Sequence, residues 1–176
     1  MKATLTRFDV AVTQRVQSLP AGLRPAMKIA SFFGEPVVGG LLLIVAGVSA
    51  FLLHRPQEVQ ALVTAFVVLP IASIIKIFVK RTRPITYVPT TRLRSHSFPS
   101  GHSYGSMLGF GLLSWIAANV LGPVIAIPVI ILAFIFVLLV GTSRIYLGAH
   151  FPSDVLGGWI MAILVLSFVL ITSGLA

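Results

Sequence analysis

Apolar residues run through this 176-residue chain in long blocks, and polar residues gather in a few stretches between them. Five blocks come close to the roughly 20 residues that a helix needs to cross a bilayer. They run from about Pro36 to Leu53, Val59 to Val79, Ser103 to Leu121, Val124 to Thr142 and Val155 to Leu175. Glu35 and Pro36 suit a helix N-terminus, through the helix dipole and the first-turn proline. Pro70 predicts a kink in the second block. Residues 1–31 read differently. Lys2, Arg7, Arg15, Arg24 and Lys28 interrupt every long uncharged run, so neither a span nor the apolar core of a secretory signal is expected there. Leu5, Phe8, Val12, Val16, Leu19, Leu23 and Met27 recur at steps of three and four, which predicts a helix with one apolar face. Pro20 and Pro25 should break or bend it. One or two amphipathic helices in the headgroup region, with basic side chains toward the phosphates, fit this pattern. A helix packed on the bundle is the alternative.

The expected fold is therefore all-α: a polytopic membrane helix bundle of about five transmembrane helices plus an N-terminal amphipathic interfacial helix. It forms a single membrane-embedded domain over residues 1–176, with 1–31 the interfacial segment and 36–175 the transmembrane core. No repeat or low-complexity linker divides it. The joining loops are unequal. His54 to Glu58 and Gly122 to Pro123 are minimal turns, Lys80 to Ser100 is long and polar, and Ser143 to Asp154 is intermediate. Alternating spans put both longer loops and the N-terminal helices on one face, with Arg55 the only basic residue opposite.

Composition agrees. The chain is 57% hydrophobic and 10% charged, against about 25% charged in soluble domains. It cannot cover a soluble surface. Cysteine is absent, which excludes disulfides and thiolate metal sites. Asp9, Glu35, Glu58 and Asp154 are the only acids, too few for a carboxylate-rich magnesium or calcium cage. The formal charge of +9 points in so apolar a chain to anionic lipid and membrane topology, not nucleic acid.

Three segments on the basic face carry candidate chemistry. Lys76 and Arg83–Pro84 end the second span, Pro99-Ser100-Gly101-His102 opens the third, and Ser143-Arg144 through His150 to Asp154 bridges the fourth and fifth. Singly, each has a bland reading: lysine and arginine snorkel at helix ends, and serines cap helices. Together they supply three cations, a hydroxyl and helix-start N–H groups around one anion. Glycine at 101 lets backbone approach that anion. Such a set suits the oxygens of a phosphoryl group. Asp154, four residues after His150, is placed to hold one imidazole nitrogen protonated and aim the other at an electrophile. His150 is thus the better nucleophile candidate, and His102 suits a general acid for the leaving oxygen. A plain phosphate-binding site fits the same spacing.

These three motifs resemble the type 2 phosphatidic acid phosphatase superfamily, whose pattern is Lys-x6-Arg-Pro, Pro-Ser-Gly-His and Ser-Arg-x5-His-x3-Asp. The chain matches each part without a gap, at Lys76/Arg83/Pro84, Pro99 to His102 and Ser143/Arg144/His150/Asp154. The resemblance implies a helical bundle and a phosphohistidine on His150. It implies acid catalysis by His102, orientation by Asp154, phosphate contacts from Lys76, Arg83, Ser100, Gly101 and Arg144, and no metal or other cofactor. Membrane members commonly have six spans, and here the N-terminal one is replaced by the amphipathic segment. They usually place the active site outside the cytoplasm. Setting aside Lys76, Arg83 and Arg144, nine basic residues remain on the active face and one opposite, which points that face to the cytoplasm. Lys80, Arg81, Arg92 and Arg94 are alternatively recruiters of anionic substrate.

The expected activity is metal-independent hydrolysis of a lipid phosphate. The candidates are a polyprenyl diphosphate, phosphatidate, phosphatidylglycerophosphate or a polyprenyl-phosphosugar phosphate. The rivals are a non-catalytic lipid or phosphate transporter and a vanadate-dependent peroxidase of the same superfamily. His96 is expected to be a polar loop residue, Asp9 a helix-surface charge, and Glu35 a partner for a loop arginine. Tyr87, Tyr104 and Tyr146 are expected to line the site or the membrane interface.

Overall fold

The structure is a computed structural model and describes residues 7–84 and 96–174. All regular elements among the described residues are helical: α1 (Arg7–Gln17), α2 (Arg24–Phe33), α3 (Pro36–Leu52), α4 (Pro56–Val68), α5 (Ile71–Val79), α6 (Gly101–Val120), α7 (Pro123–Tyr146) and α8 (Pro152–Thr172). A single 3-10 turn, Ala21–Leu23, joins α1 to α2. Prolines 25, 36, 56, 123 and 152 stand in first turns, where the missing N–H costs no intrahelical bond and the fixed φ favours the helix.

α6 is the central helix and touches α3, α4, α5, α7 and α8. Tyr104, Leu108 and Leu112 on it are fully buried. A methyl group on Gly158 of α8 would lie 2.7 Å from the Ser100 carbonyl and 3.1 Å from the Tyr104 nitrogen, so α8 and the start of α6 meet backbone to backbone. The outer surface is apolar: Val37, Val45, Phe51, Val67, Phe78, Val124 and Leu164 are all well exposed, as lipid-facing side chains must be. Three spans are long and apolar enough to cross a membrane: Pro56–Val79, Pro123–Tyr146 and Pro152–Thr172. The segments Ala21–Phe33 and Pro36–Leu52, bent by 49° between them, together make a fourth. The bundle is the expected class, but this measure does not reach five spans. α3 alone has only 17 residues. α6 carries His102, Ser103, Ser106, Ser114 and Asn119, which its enclosed position tolerates.

Pro70 breaks the second block as expected, separating α4 from α5. The Tyr104 hydroxyl donates to the Val68 carbonyl at 2.9 Å, supplying a partner near the interrupted ladder. α7 runs further than expected. It includes Ser143 and Arg144 and so shortens the expected loop to residues 147–151. Gly148 is the reason. With φ 71° it is left-handed, its N–H donates to the Ile145 carbonyl, and the Ala149 N–H donates to the Arg144 carbonyl, both at 3.0 Å. This is a Schellman stop, one step after the last helical turn.

The N-terminal helices are part of the bundle. α1 packs on α7 and α8, and α2 on α7. Phe8, Leu19 and Leu23 of the apolar stripe are exposed, while Asp9 is fully buried. Asp9 is therefore not a surface charge.

Candidate active site

The motif residues meet where α5 and α7 end and α6 and α8 begin. Lys76 stands in the last turn of α5, which stops at Lys80 with a left-handed backbone (φ 50°). That turn sends Arg81 inward. Ser97 fixes the segment: its N–H donates to the Arg81 carbonyl at 2.8 Å and its hydroxyl to the Thr82 carbonyl at 3.0 Å. Ser100 caps α6. Its hydroxyl accepts the Ser103 N–H at 3.3 Å and the Ser103 hydroxyl at 2.9 Å, and its own O–H remains a donor. Its N–H donates to the Asp154 carbonyl at 2.9 Å, tying the start of α6 to the first turn of α8. A methyl group on Gly101 would lie 3.5 Å from Lys76 Nζ. The ammonium thus sits against bare backbone at a helix N-terminus, where unpaired N–H groups and the dipole both favour an anion.

The Schellman turn after α7 delivers His150, which is 1% exposed. Arg83 Nη1 donates to the Ala149 carbonyl at 2.9 Å and lies 3.4 Å from His150 Nε2. A guanidinium only donates, so Nε2 carries the lone pair and Nδ1 the proton. Nδ1 faces Asp154 Oδ2 at 3.6 Å, longer than a hydrogen bond. Burial pulls the imidazole down to about 4, against the opposing pull of Asp154 and with the help of Arg144 and Arg83. At neutral pH the ring is uncharged and its Nε2 lone pair is available.

Asp154 is fully buried. Its Oδ2 accepts the Phe151 N–H at 2.8 Å, and its Oδ1 accepts Arg81 Nη1 at 2.6 Å. Arg144 donates to the Ser31 hydroxyl on α2. The elbow between α2 and α3 touches the remaining histidine, since a methyl group on Gly34 would come within 3.1 Å of His102 Cβ. Arg144, His150, Lys76 and Arg83 are all near enough to His102 to act on it electrostatically. The three motifs thus form one cluster.

Arg81 points into the protein. It is 8% exposed, held by Asp154, by the Ser153 hydroxyl at 2.7 Å and by Asp9 Oδ2 at 2.7 Å, and it covers the Phe151 ring at 4.7 Å. Asp9 in turn accepts the Ser153 N–H at 2.9 Å and the Ser153 hydroxyl at 2.8 Å. Burial opposes its ionisation, but the bonds from Ser153 and Arg81 prevail and hold its carboxyl below the ordinary value. Asp9 and Ser31 are the residues that sequence reasoning missed. Asp9, Thr13 and Gln17 recur at steps of four, a polar stripe that does face the bundle: Gln17 donates to the Ile145 carbonyl at 3.2 Å.

Lys80 is exposed, Glu35 is exposed and His96 is half-buried. Tyr104 serves the helix break, and Tyr146 donates to the Pro20 carbonyl at 2.9 Å. Tyr87, Arg92 and Arg94 lie outside the described residues.

Comparison with known proteins places the chain in a family. The family model of the PAP2 superfamily matches residues 57–174. Phosphatidylglycerophosphatase B of Bacillus subtilis is 36% identical over 94 residues, 52% of this chain and 45% of that protein, so the matched region spans under half of it. Decaprenylphosphoryl-5-phosphoribose phosphatase of Mycobacterium tuberculosis is 35% identical over 158 residues, 86% of this chain and 83% of that one. The crystal structure of a transmembrane PAP2 type phosphatidylglycerolphosphate phosphatase from Bacillus subtilis superposes with a TM-score of 0.81 at 26% identity, covering 94% of this chain and 84% of that one. LpxE of Aquifex aeolicus shares the fold, with a TM-score of 0.73 at 21% identity over 97% of this chain and 99% of that one. This membrane-embedded chain belongs to the PAP2 superfamily.

Proposed function

We propose that the protein is a membrane lipid-phosphate phosphatase that works through a phosphohistidine on His150. The observation that carries the reading is the line from Arg83 through His150 to Asp154, which leaves a neutral Nε2 beside a cation. In the first step the Nε2 lone pair attacks phosphorus, the P–O bond to the lipid alcohol breaks, and His102 gives that oxygen a proton. In the second, His102 takes a proton from water, the water oxygen bonds to phosphorus, and the P–N bond breaks to release phosphate. Lys76, Arg83 and Arg144, with Ser100 and the Gly101 backbone, stabilise charge on the phosphoryl oxygens. Asp154 orients the imidazole and stabilises the positive charge that develops on it.

The substrate is a phosphomonoester or diphosphate on a lipid, with its head group among these residues and its tail in the bilayer. Phosphatidylglycerophosphate and a polyprenyl-phosphosugar phosphate lead the candidates, because the relatives' names point to those two classes; phosphatidate and polyprenyl diphosphates follow. The membrane is a bacterial cytoplasmic membrane, and the active face is cytoplasmic by the basic-residue count.

Phosphate release from a panel of these four lipids in detergent tests the activity. His150→Ala is expected to abolish it. A wild type that binds a lipid phosphate but hydrolyses none returns the protein to the transporter class. Orientation is read from a C-terminal tag. α8 runs 21 residues away from the site, so a tag reached only from outside the cell places the site in the cytoplasm.

A further inference from the structure

The roles above leave Asp9 unused, although it is buried at the edge of the site. We propose that Asp9, on the N-terminal helix, is a positioning residue for phosphoryl transfer: it shares the Arg81 guanidinium, so that Asp154 keeps negative charge to direct at His150. This rests on the phosphatase reading.

The geometry is a relay of charged groups. Arg81 reaches Asp154 Oδ1 with Nη1 at 2.6 Å and Asp9 Oδ2 with Nη2 at 2.7 Å. Both carboxylates are fully buried. Asp154 is left with Oδ2 toward His150 Nδ1. When Nε2 bonds to phosphorus, the ring becomes cationic, and its N–H turns toward that oxygen. A carboxylate engaged alone by a buried guanidinium forms a neutral pair and offers little field to a neighbouring cation. A guanidinium divided between two carboxylates neutralises neither fully.

Asp9 also acts on the position of Asp154. Ser153 is the second residue of α8, and its N–H is one of the donors that a helix start leaves without an internal partner. Asp9 Oδ1 accepts it at 2.9 Å from a different helix. The same carboxylate receives the Ser153 hydroxyl, which Arg81 also contacts. The first turn of α8, which carries Asp154, is thus held from α1.

A staple that only fastens α1 to the bundle would show the same contacts, so the test must separate charge from attachment. Wild type, His150→Ala, Asp9→Asn, and Asp9→Asn combined with Arg81→Gln are purified in detergent. Phosphate release is measured on phosphatidylglycerophosphate and on phosphatidate in mixed micelles. Thermal unfolding and elution volume report folding. Asp9→Asn is expected to lose about 10–100-fold in kcat, the scale seen when a group that orients a metal-ligating side chain is removed and applied here to a group that orients His150 through Asp154, with KM within about twofold. The paired variant removes the cation together with its counter-charge, so it is expected to recover at least about fivefold over Asp9→Asn. A staple predicts no recovery. A folded Asp9→Asn with wild-type kcat, or a paired variant no better than the single one, overturns the proposal. If Asp9→Asn does not fold, the paired variant decides alone: kcat within about twentyfold of wild type sustains the proposal, and a larger loss overturns it. Release by wild type that His150→Ala abolishes keeps the phosphatase reading standing whatever the Asp9 variants do. A wild type that releases no phosphate overturns that reading, and this inference with it.

Discussion

Arg83 Nη1 stands 3.4 Å from His150 Nε2 while it donates to the adjoining Ala149 carbonyl at 2.9 Å. The backbone bond holds the guanidinium beside the attacking nitrogen, and the guanidinium in turn assigns the tautomer. An anion arriving between them would meet a fixed fork of donors on one side and a lone pair on the other. Arg83→Gln keeps a donor of similar reach but loses the charge. We expect kcat to fall about 100–1,000-fold, the scale for one preorganised donor at a developing oxyanion. Arg83→Lys, which keeps the charge without the fork, should fall between. Steady-state kinetics on a lipid phosphate check the order, and equal activity in the Gln and Lys variants would show that charge is not the operative property.

A phosphohistidine has a chemical signature. Phosphate bonded to imidazole nitrogen survives alkali and is lost in acid. Rapid quench of wild type with a radiolabelled substrate should leave label on the protein in alkaline quench and none after acid treatment. His150→Ala should carry none under either condition. His102→Ala should accumulate label with a substrate whose leaving group needs no protonation, because water attack then lacks its base. Label on His102 in place of His150 would reverse the two roles.

Much of this site was legible in the sequence, because each motif is local and each sits at a helix boundary with its own signal. Pro84, Pro99 and Pro152 punctuate the three segments, and His150 and Asp154 are only four residues apart, one just before α8 and the other in its first turn. The bundle was legible from the apolar blocks. What the sequence hid was contact between distant segments. The Ser31 bond to Arg144 spans 113 residues and the Asp9 bond to Ser153 spans 144, and no local periodicity encodes such pairs. The apolar pattern of α1 does not reveal its buried contact: Phe8 is exposed and Val12 and Val16 are half-buried, while Asp9 on the polar stripe is fully buried at the basic end of the bundle. The pairing of Arg81 is equally hidden, since a basic loop residue looks alike in sequence whether it meets solvent or two buried carboxylates.

Acid should destabilise the fold through His150. Its folded value of about 4 lies below the ordinary 6.5, so between those two values the unfolded chain binds a proton that the folded one excludes. Stability is therefore full above about pH 6.5 and declines as pH falls toward 4. His150→Gln removes that group. Its unfolding temperature should fall less than that of wild type between pH 7 and 4.5, whichever variant is more stable at pH 7. Parallel curves would mean that His150 is no drier in the folded state than in the unfolded one.

Ser31 offers a test of how the N-terminal helices serve catalysis. Its hydroxyl is buried on α2 and receives Arg144 Nη1. Ser31→Ala leaves Arg144 in place but removes one of the bonds that aim it. We expect a loss of about 1–3 kcal/mol in stability, typical of breaking a buried bond to a charged group, and a rise in KM for the phosphate substrate. Ser31→Thr restores the hydroxyl and should restore most of the affinity. If Thr and Ala behave alike, the site is limited by packing at α2 and not by the bond.

Two glycines on facing helices should respond in opposite directions. Gly158 on α8 lies where any side chain would strike the Ser100 carbonyl at 2.7 Å, the Tyr104 nitrogen at 3.1 Å and Ser103 Cβ at 3.2 Å. Backbone cannot step aside as a side-chain tip can, so Gly158→Ala must push α8 away from the start of α6. Overpacking of this kind costs about 1–3 kcal/mol. The displacement falls on the turn that caps α6 with Ser100 and ties it to the Asp154 carbonyl, so activity should fall further than stability. Gly105, one turn into α6, has nothing within 4 Å of where a methyl group would go. Gly105→Ala should stabilise the helix by up to about 1 kcal/mol and leave phosphate release unchanged. Thermal unfolding and kcat measured on both variants decide the matter: a Gly158→Ala protein as active as Gly105→Ala would mean that the close approach of α8 to Ser100 does not set the geometry of the site.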